Sequence, residues 1–137
     1  MRKFLFAALF CSTTIPAAQA ADPAAGAALW GECRACHSVT GPDGTVIARG
    51  GRSGPDLYGV AGRAAAGDTG YRSYSDAMQA AARAGLVWTR ADFAAYLRDP
   101  EAFLRQFTGD ATARTDMHTR LMRGADDIHA WLRSIAQ

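Results

Sequence analysis

The chain has 137 residues, of which 49% are hydrophobic, 20% charged and 9% aromatic. That length and balance describe one globular domain and exclude a low-complexity or charge-rich disordered chain. The formal net charge of +2 belongs wholly to the first three residues, so it is no signature of a nucleic-acid partner.

Met1-Arg2-Lys3 is followed by the apolar run Phe4-Leu5-Phe6-Ala7-Ala8-Leu9-Phe10 and then by Ala18-Gln19-Ala20, whose small residues suit signal peptidase. Basic start, apolar middle and A-x-A end predict a cleaved secretory signal over residues 1–20 and a domain over residues 21–137. Removing the signal takes away Arg2, Lys3 and no acid, leaving 13 acids matched by as many arginines. The run is too short to span a bilayer, and no later segment approaches about 20 uninterrupted apolar residues. Cys11 follows the bulky Phe10, which argues against a lipidated cysteine.

Asp22-Pro23 opens the first predicted helix, with Asp capping and Pro at the first helical position. That helix runs over residues 24–33 and presents Leu29 and Trp30 just before a cysteine pair. Residues 38–70 are rich in Gly, Pro, Asp and Arg and read as long loops, within which residues 41–52 suit a hairpin or flap. Loops of that length in a compact domain need something to order them, and a large buried cofactor does so. Ser75-Asp76-Ala77-Met78 opens an alanine-rich helix that stops at Gly85. Thr89 caps the next one, which passes through Phe93, Tyr96 and Leu97 and ends before Asp99-Pro100. A shorter helix follows over residues 100–106. After a second loop, Ala125-Asp126 starts the last helix, whose Ile128, Trp131, Leu132 and Ile135 fall at i, i+3, i+4 and i+7. His129, one position beyond Ile128, reads as a helix-surface residue, and Tyr58 as an ordinary surface tyrosine. The fold class is all-α, with roughly four to five helices, long loops and no internal repeat.

The chemically specific motif is Cys33-Arg34-Ala35-Cys36-His37. A structural zinc site requires four protein ligands, and no second cysteine pair exists. A thioredoxin-type pair belongs in a βαβ setting, for which the chain has little strand pattern. A plain disulfide leaves His37 without a role. Covalent haem attachment uses all three residues: the thiols add to the two vinyl groups and His37 becomes the proximal iron ligand. One helical turn places the thiols along the porphyrin edge and the imidazole beneath its centre. The favoured cofactor is therefore one haem c, bound through Cys33 and Cys36, without which so loop-rich a chain is expected to be largely unfolded.

Several segments together resemble the class I c-type cytochromes, the monohaem group of mitochondrial cytochrome c and the bacterial periplasmic photosynthetic and respiratory carriers. Gly26-Ala27-Ala28-Leu29-Trp30-Gly31-Glu32-Cys33 is similar to the family's first helix running into the haem motif. Gly54-Pro55-Asp56-Leu57-Tyr58-Gly59-Val60-Ala61-Gly62-Arg63 is similar to its GP-[ND]-L-x-G-x-x-GR segment. Tyr71-Arg72-Ser73-Tyr74-Ser75-Asp76-Ala77-Met78, then Gly85-Leu86-Val87-Trp88-Thr89, resembles its pocket-floor helix, and the match continues from Ala95-Tyr96-Leu97 to Phe103-Leu104.

The resemblance implies a cytochrome c fold wrapped around one covalent haem. It implies that the Pro55 carbonyl accepts the Nδ1 proton of His37, that Arg63, Tyr74 and Trp88 donate to the haem propionates, and that Tyr96 lies near the sixth ligand. Trp30 and Trp131 would form the aromatic contact between the first and last helices. The family places a ligating methionine in the loop before the last helix. Counting back from Trp131-Leu132 through Thr115-Asp116-Met117-His118-Thr119-Arg120-Leu121 selects Met117, with His118 and Met122 as alternatives. Here Asp116 replaces the usual lysine, Thr119 replaces the usual phenylalanine, and no Pro-Gly turn precedes them.

The implied function is one-electron transfer in the bacterial periplasm, by a monomer with no catalytic residues and no stable membrane insertion. Partners would be membrane or soluble redox proteins: a cytochrome bc1-type complex, an oxidase or a photosynthetic reaction centre. Arginines take up the docking work of the family's lysines or simply make a balanced, solvated surface. The alternative is a haem enzyme or gas-binding sensor with an open or weakly held sixth site, in which His118 with Arg114 or Arg120 would serve as distal base and cation.

Overall fold

The computed structural model describes residues 20–137. Apart from Ala20, the expected signal segment and Cys11 lie outside the described residues. The chain order is α1 (Pro23–Ala28), a 3-10 turn (Leu29–Glu32), β1 (Val39–Thr40), β2 (Val46–Ala48), α2 (Asp76–Arg83), α3 (Arg90–Arg98), α4 (Pro100–Thr108) and α5 (Ala125–Ser134). Among the described residues these five helices and one small hairpin match the expected all-α class.

Short-range chemistry sets the helix starts. The Asp22 carboxylate accepts from the Ala24 N–H at 2.8 Å, with Pro23 opening α1. Ser75 caps α2 through the Met78 N–H, and Thr89 caps α3 through the Asp92 N–H. Asp99 ends α3 in extended backbone and caps α4, where Pro100 supplies the first residue. Two helix boundaries differ from expectation. The first helix is α-helical only to Ala28 and then tightens into 3-10 geometry, a common way for a helix to end, here ahead of the weak helix former Gly31. The fourth runs on to Thr108, whose hydroxyl bonds back to the Leu104 carbonyl at 2.7 Å before Gly109 turns left-handed.

The core sits where α5 meets α1 and α3, and where α4 covers α2 and α3. Leu86, Leu104, Ile128, Leu132 and Val39 are its fully buried side chains. α1 lies so close to α5 that a Cβ on Gly26 would collide with the Asp127 carbonyl and sit 2.8 Å from the Ile128 nitrogen. Trp30 and Trp131 extend that contact edge to face, with ring centroids 5.5 Å apart. The Trp30 indole also donates to the Arg49 carbonyl at 3.0 Å, tying the first helix to the loop.

Two side chains expected at the surface are not there. His129 is only 7% exposed; its Nε2 lies 3.1 Å from the Trp88 carbonyl and its ring packs edge-on against Phe93. The physical reason is the register of the α5 stripe. Ala125, Ile128, His129 and Leu132 are the buried set, at i, i+3, i+4 and i+7, while Trp131 and Ile135 are only half-buried. Tyr58 is likewise half-buried against the core, held through its backbone: its N–H donates to Asp56 and its carbonyl accepts from Arg63.

Residues 41–52 do include a hairpin arm. β1 and β2 pair antiparallel, Val39 with Ala48 and Thr40 with Val46, with a bulge between. The turn is closed by the Asp43 carboxylate, which accepts from the Thr45 N–H and hydroxyl.

Candidate cofactor site

The Cys33-to-His37 segment is a single turn, closed by the Cys36 and His37 N–H groups on the Cys33 carbonyl. Cys33 is half-buried and Cys36 exposed. Burial, and secondarily the charge of Glu32, push the Cys33 thiol up to about 11. The imidazole of His37 donates from Nδ1 to the Pro55 carbonyl at 2.7 Å, which leaves Nε2 with the lone pair a metal needs. Burial lowers the pKa of His37, against the raising effects of the Pro55 bond and the Asp56 charge. The neutral form is thus the favoured one.

This geometry depends on Gly54. A Cβ there would stand 2.5 Å from His37 Cε1 and 2.8 Å from Nδ1. Without one, the Gly54 backbone lies against the ring and its N–H donates to the Cys36 carbonyl at 2.8 Å, delivering Pro55 to Nδ1.

These residues form one wall of a cavity of about 350 Å³, within the range of small-molecule and cofactor pockets. Every residue expected to touch the cofactor lines it: Cys33, Cys36, His37 and Pro55; Arg63, Tyr74 and Trp88; and Tyr96 with Met117. Leu57, Val60, Met78, Phe93 and Leu97 make its apolar floor. The polar group has distinct anchors. Arg63 donates through Nη1 to the Tyr58 carbonyl and through Nη2 to the Asp56 carbonyl, each at 3.0 Å. Its Nε is buried without a partner. The Tyr74 hydroxyl accepts from the Asp68 N–H at 3.1 Å, which leaves its own proton to donate. Burial raises the Tyr74 pKa, so it stays a donor. Trp88 stands in an aromatic cluster, 5.0 Å from Tyr96 and 6.4 Å from Phe103 between ring centroids.

The loop after α4 contributes Met117. Thr115, 7% exposed, accepts from the Met117 N–H at 3.2 Å and lies 3.3 Å from the Tyr96 hydroxyl. The Leu121 N–H donates to the Leu97 carbonyl at 2.8 Å, and Arg120 pairs with Asp99 at 3.0 Å, so both ends of the loop are fastened near α3. His118 also lines the cavity but is exposed. Met122 is 69% exposed and lines a separate groove beside Gly124. Arg114 and Arg120 are exposed and do not line the cavity, so no distal base-and-arginine pair is assembled there.

Sequence reasoning passed over Thr115, Asp56 and Asp68. Thr115 carried one faint signal, a hydroxyl two residues before the candidate ligand in a position suited to a local side-chain turn. Asp68 sits in a Gly-Asp-Thr-Gly turn whose long-range bond to the Asp56 N–H, 2.8 Å, no local pattern announces.

The residues present fit a haem. They offer two thiols and an imidazole on one turn, an apolar slot, and at one end a buried guanidinium nitrogen still lacking an acceptor.

No protein-family model matches the chain. Among known proteins, it is 40% identical over 118 residues to cytochrome c2 of Rhodobacter capsulatus, covering 86% of this chain and 85% of that one. It is 42% identical over 116 residues to cytochrome c-550 of Paracoccus pantotrophus, covering 83% of this chain and 86% of that one. Among solved structures, ferric cytochrome c-550 from Paracoccus versutus superposes with a TM-score of 0.81 at 39% identity, over 85% of this chain and 99% of that one. Cytochrome c2 from Rhodobacter capsulatus gives 0.80 at 40% identity, over 85% and 99%.

Proposed function

The chain belongs to the class I c-type cytochromes, with the cytochromes c2 and c-550, and from that premise we propose that it is a periplasmic one-electron carrier whose haem iron is held by His37 and Met117. It is an electron-transfer protein and not an enzyme, with one haem c on the Cys33–Cys36 pair. The observation that carries the ligand assignment is the shared cavity: His37, oriented by Pro55, and Met117, fastened through Thr115, both line it, while Met122 does not.

The haem, when bound, supplies an iron that exchanges one electron between ferric and ferrous states. The protein does the rest. Cys33 and Cys36 would hold the cofactor through thioether bonds. Pro55 holds the His37 tautomer and raises its basicity as a ligand. A Met117 thioether favours the ferrous state and raises the potential, which suits a carrier. Arg63, Tyr74 and Trp88 provide donors for the propionates, whose charges would otherwise be costly to bury. Tyr96 and Thr115 keep the methionine loop closed, and the apolar floor excludes water. Held by His37 and Met117, the iron would offer no open place to a substrate.

Residues 1–20 act as a signal removed after Ala20. Among the described residues, no helix is long and apolar enough to cross a membrane. The carrier works as a monomer. Its partners are a cytochrome bc1-type complex and an oxidase or photosynthetic reaction centre, docked briefly over a small interface.

The test is an optical spectrum of the oxidised protein, scanned for the weak far-red sulfur-to-iron charge-transfer band, followed by reduction and exposure to carbon monoxide. The band should be present, carbon monoxide should not bind, and Met117→Ala should reverse both results. A missing band with ready carbon monoxide binding overturns the carrier reading in favour of an open-site enzyme or sensor. A band that survives Met117→Ala overturns the assignment of the ligand.

A further inference from the structure

Asp56 follows Pro55, whose carbonyl orients His37. Its carboxylate is half-buried and accepts three hydrogen bonds: from the Ser38 hydroxyl at 3.0 Å, the Thr40 N–H at 3.1 Å and the Tyr58 N–H at 2.8 Å. Its backbone is gripped as well, the N–H by Asp68 at 2.8 Å and the carbonyl by Arg63 at 3.0 Å. The segment that begins at Ser38 is thereby tied to the segment that carries Pro55.

Among the described residues that carboxylate forms no ion pair. The ion pairs among the described residues are Arg90–Asp126, Arg105–Glu101 and Arg120–Asp99, and none includes Asp56. Arg63, which bonds the Asp56 carbonyl, spends Nη1 and Nη2 on backbone oxygens. Nor do the hydrogen bonds require a charge. An asparagine could accept the Thr40 and Tyr58 N–H groups on Oδ1 and donate from Nδ2 to the Ser38 oxygen, whose hydroxyl is free to rotate. What the carboxylate adds over an amide is a fixed negative charge beside the Pro55–His37 bond.

We infer that Asp56 sets the reduction potential of the haem, its fixed negative charge favouring the ferric over the ferrous state. The inference rests on the carrier reading. Asp56 does not line the cavity; it acts through space and through the His37–Pro55 pair, as a positioning residue. Asp68 and Arg63 are the other charged groups bonded to its backbone, and they stay unchanged in the variants below.

The experiment is a spectroelectrochemical titration of the haem-loaded protein and its Asp56→Asn, Asp56→Glu and Asp56→Ala variants at pH 7, with thermal unfolding of each. In Asp56→Asn the ferrous-to-ferric ratio at fixed ambient potential should rise roughly threefold, about 28 mV at 59 mV per tenfold for one electron. The melting temperature should hold. Asp56→Glu, which keeps the charge on a longer arm, should stay near the parent potential. Asp56→Ala should raise the potential and lower the melting temperature, since three donors lose their acceptor. Should Asp56→Asn not load haem, the Glu–Ala pair carries the same contrast in charge. An unchanged potential in Asp56→Asn, or an equal shift in Asp56→Glu, overturns the inference and leaves Asp56 as a hydrogen-bond hub. The carrier reading fails separately, on the spectrum of the unaltered protein.

Discussion

Thr115→Val isolates what closes the methionine loop. Valine keeps the branched shape of a residue that is 7% exposed, so packing is preserved while one oxygen is lost. That oxygen accepts from the Met117 N–H at 3.2 Å and shares a bond with the Tyr96 hydroxyl at 3.3 Å, so two polar groups lose their partner. A buried polar group left unpaired costs about 1–3 kcal/mol, and bonds at the long end of the usual range argue for the lower figure, or about 2 kcal/mol for the two. Opening the loop lets water satisfy both groups, so the cost falls on the closed state. At about 1.4 kcal/mol per tenfold, the open fraction should rise roughly 30-fold. The assay is carbon monoxide association with the ferrous protein beside the far-red band of the ferric one. Thr115→Val should bind the gas up to about 30 times faster and melt up to roughly 8 °C lower, whereas Thr115→Ser, which keeps the hydroxyl, should resemble the parent. If Thr115→Val keeps the parent's gas-binding rate, band and melting temperature, Thr115 does not hold the loop.

Gly26→Ala should destabilise by about 2 kcal/mol, because the added methyl meets the Asp127 backbone and forces α1 away from α5 by more than its helix propensity returns; thermal unfolding reads it, and an unchanged melting temperature refutes so close a packing. Cys33→Ala combined with Cys36→Ala should abolish stable folding, as far-ultraviolet circular dichroism would show; a folded, haem-free double variant would defeat the claim that the cofactor orders residues 38–70. Burial raises the pKa of Tyr96 and of Tyr74 above 10.0 in the folded protein, so the unfolded state releases those protons first as pH climbs. Their contribution to stability is whole below about 10 and lost as pH rises through the folded values. Tyrosinate absorbance should therefore lag a model tyrosine until alkaline unfolding, and early titration of all tyrosines counts against these burials.

What could be read from the sequence follows the range of each interaction. Asp22, Ser75, Thr89 and Asp99 bond to backbone two or three residues ahead, so the four helix starts they cap were visible as local chemistry. The haem turn was visible because two thiols and an imidazole at that spacing serve few other purposes. His129 was misplaced because α5 packs against both α1 and α3, and a stripe wide enough for two neighbours admits more than one register. Asp56 and Asp68 were passed over because their partners lie up to 18 residues away, beyond any periodic pattern.

The methionine loop shows how a departure from a family pattern is absorbed. It lacks the Pro-Gly turn that elsewhere presets the approach to the ligand, and Asp116 and Thr119 stand where lysine and phenylalanine are usual. A preset turn reduces the freedom of the open chain; without it, closure must be stabilised by bonds made only when the loop is shut. Thr115 to Tyr96 and Met117, Leu121 to Leu97, and Arg120 to Asp99 are such bonds. Each is either long, solitary or exposed; the Arg120–Asp99 pair, with side chains 60% and 37% exposed, is worth little in water and less in salt. A loop closed by several weak bonds opens more readily than one closed by a rigid turn. Under the proposed ligation, the hold of Met117 on the iron would therefore depend most on Thr115, the one anchor of the three whose side chain is buried.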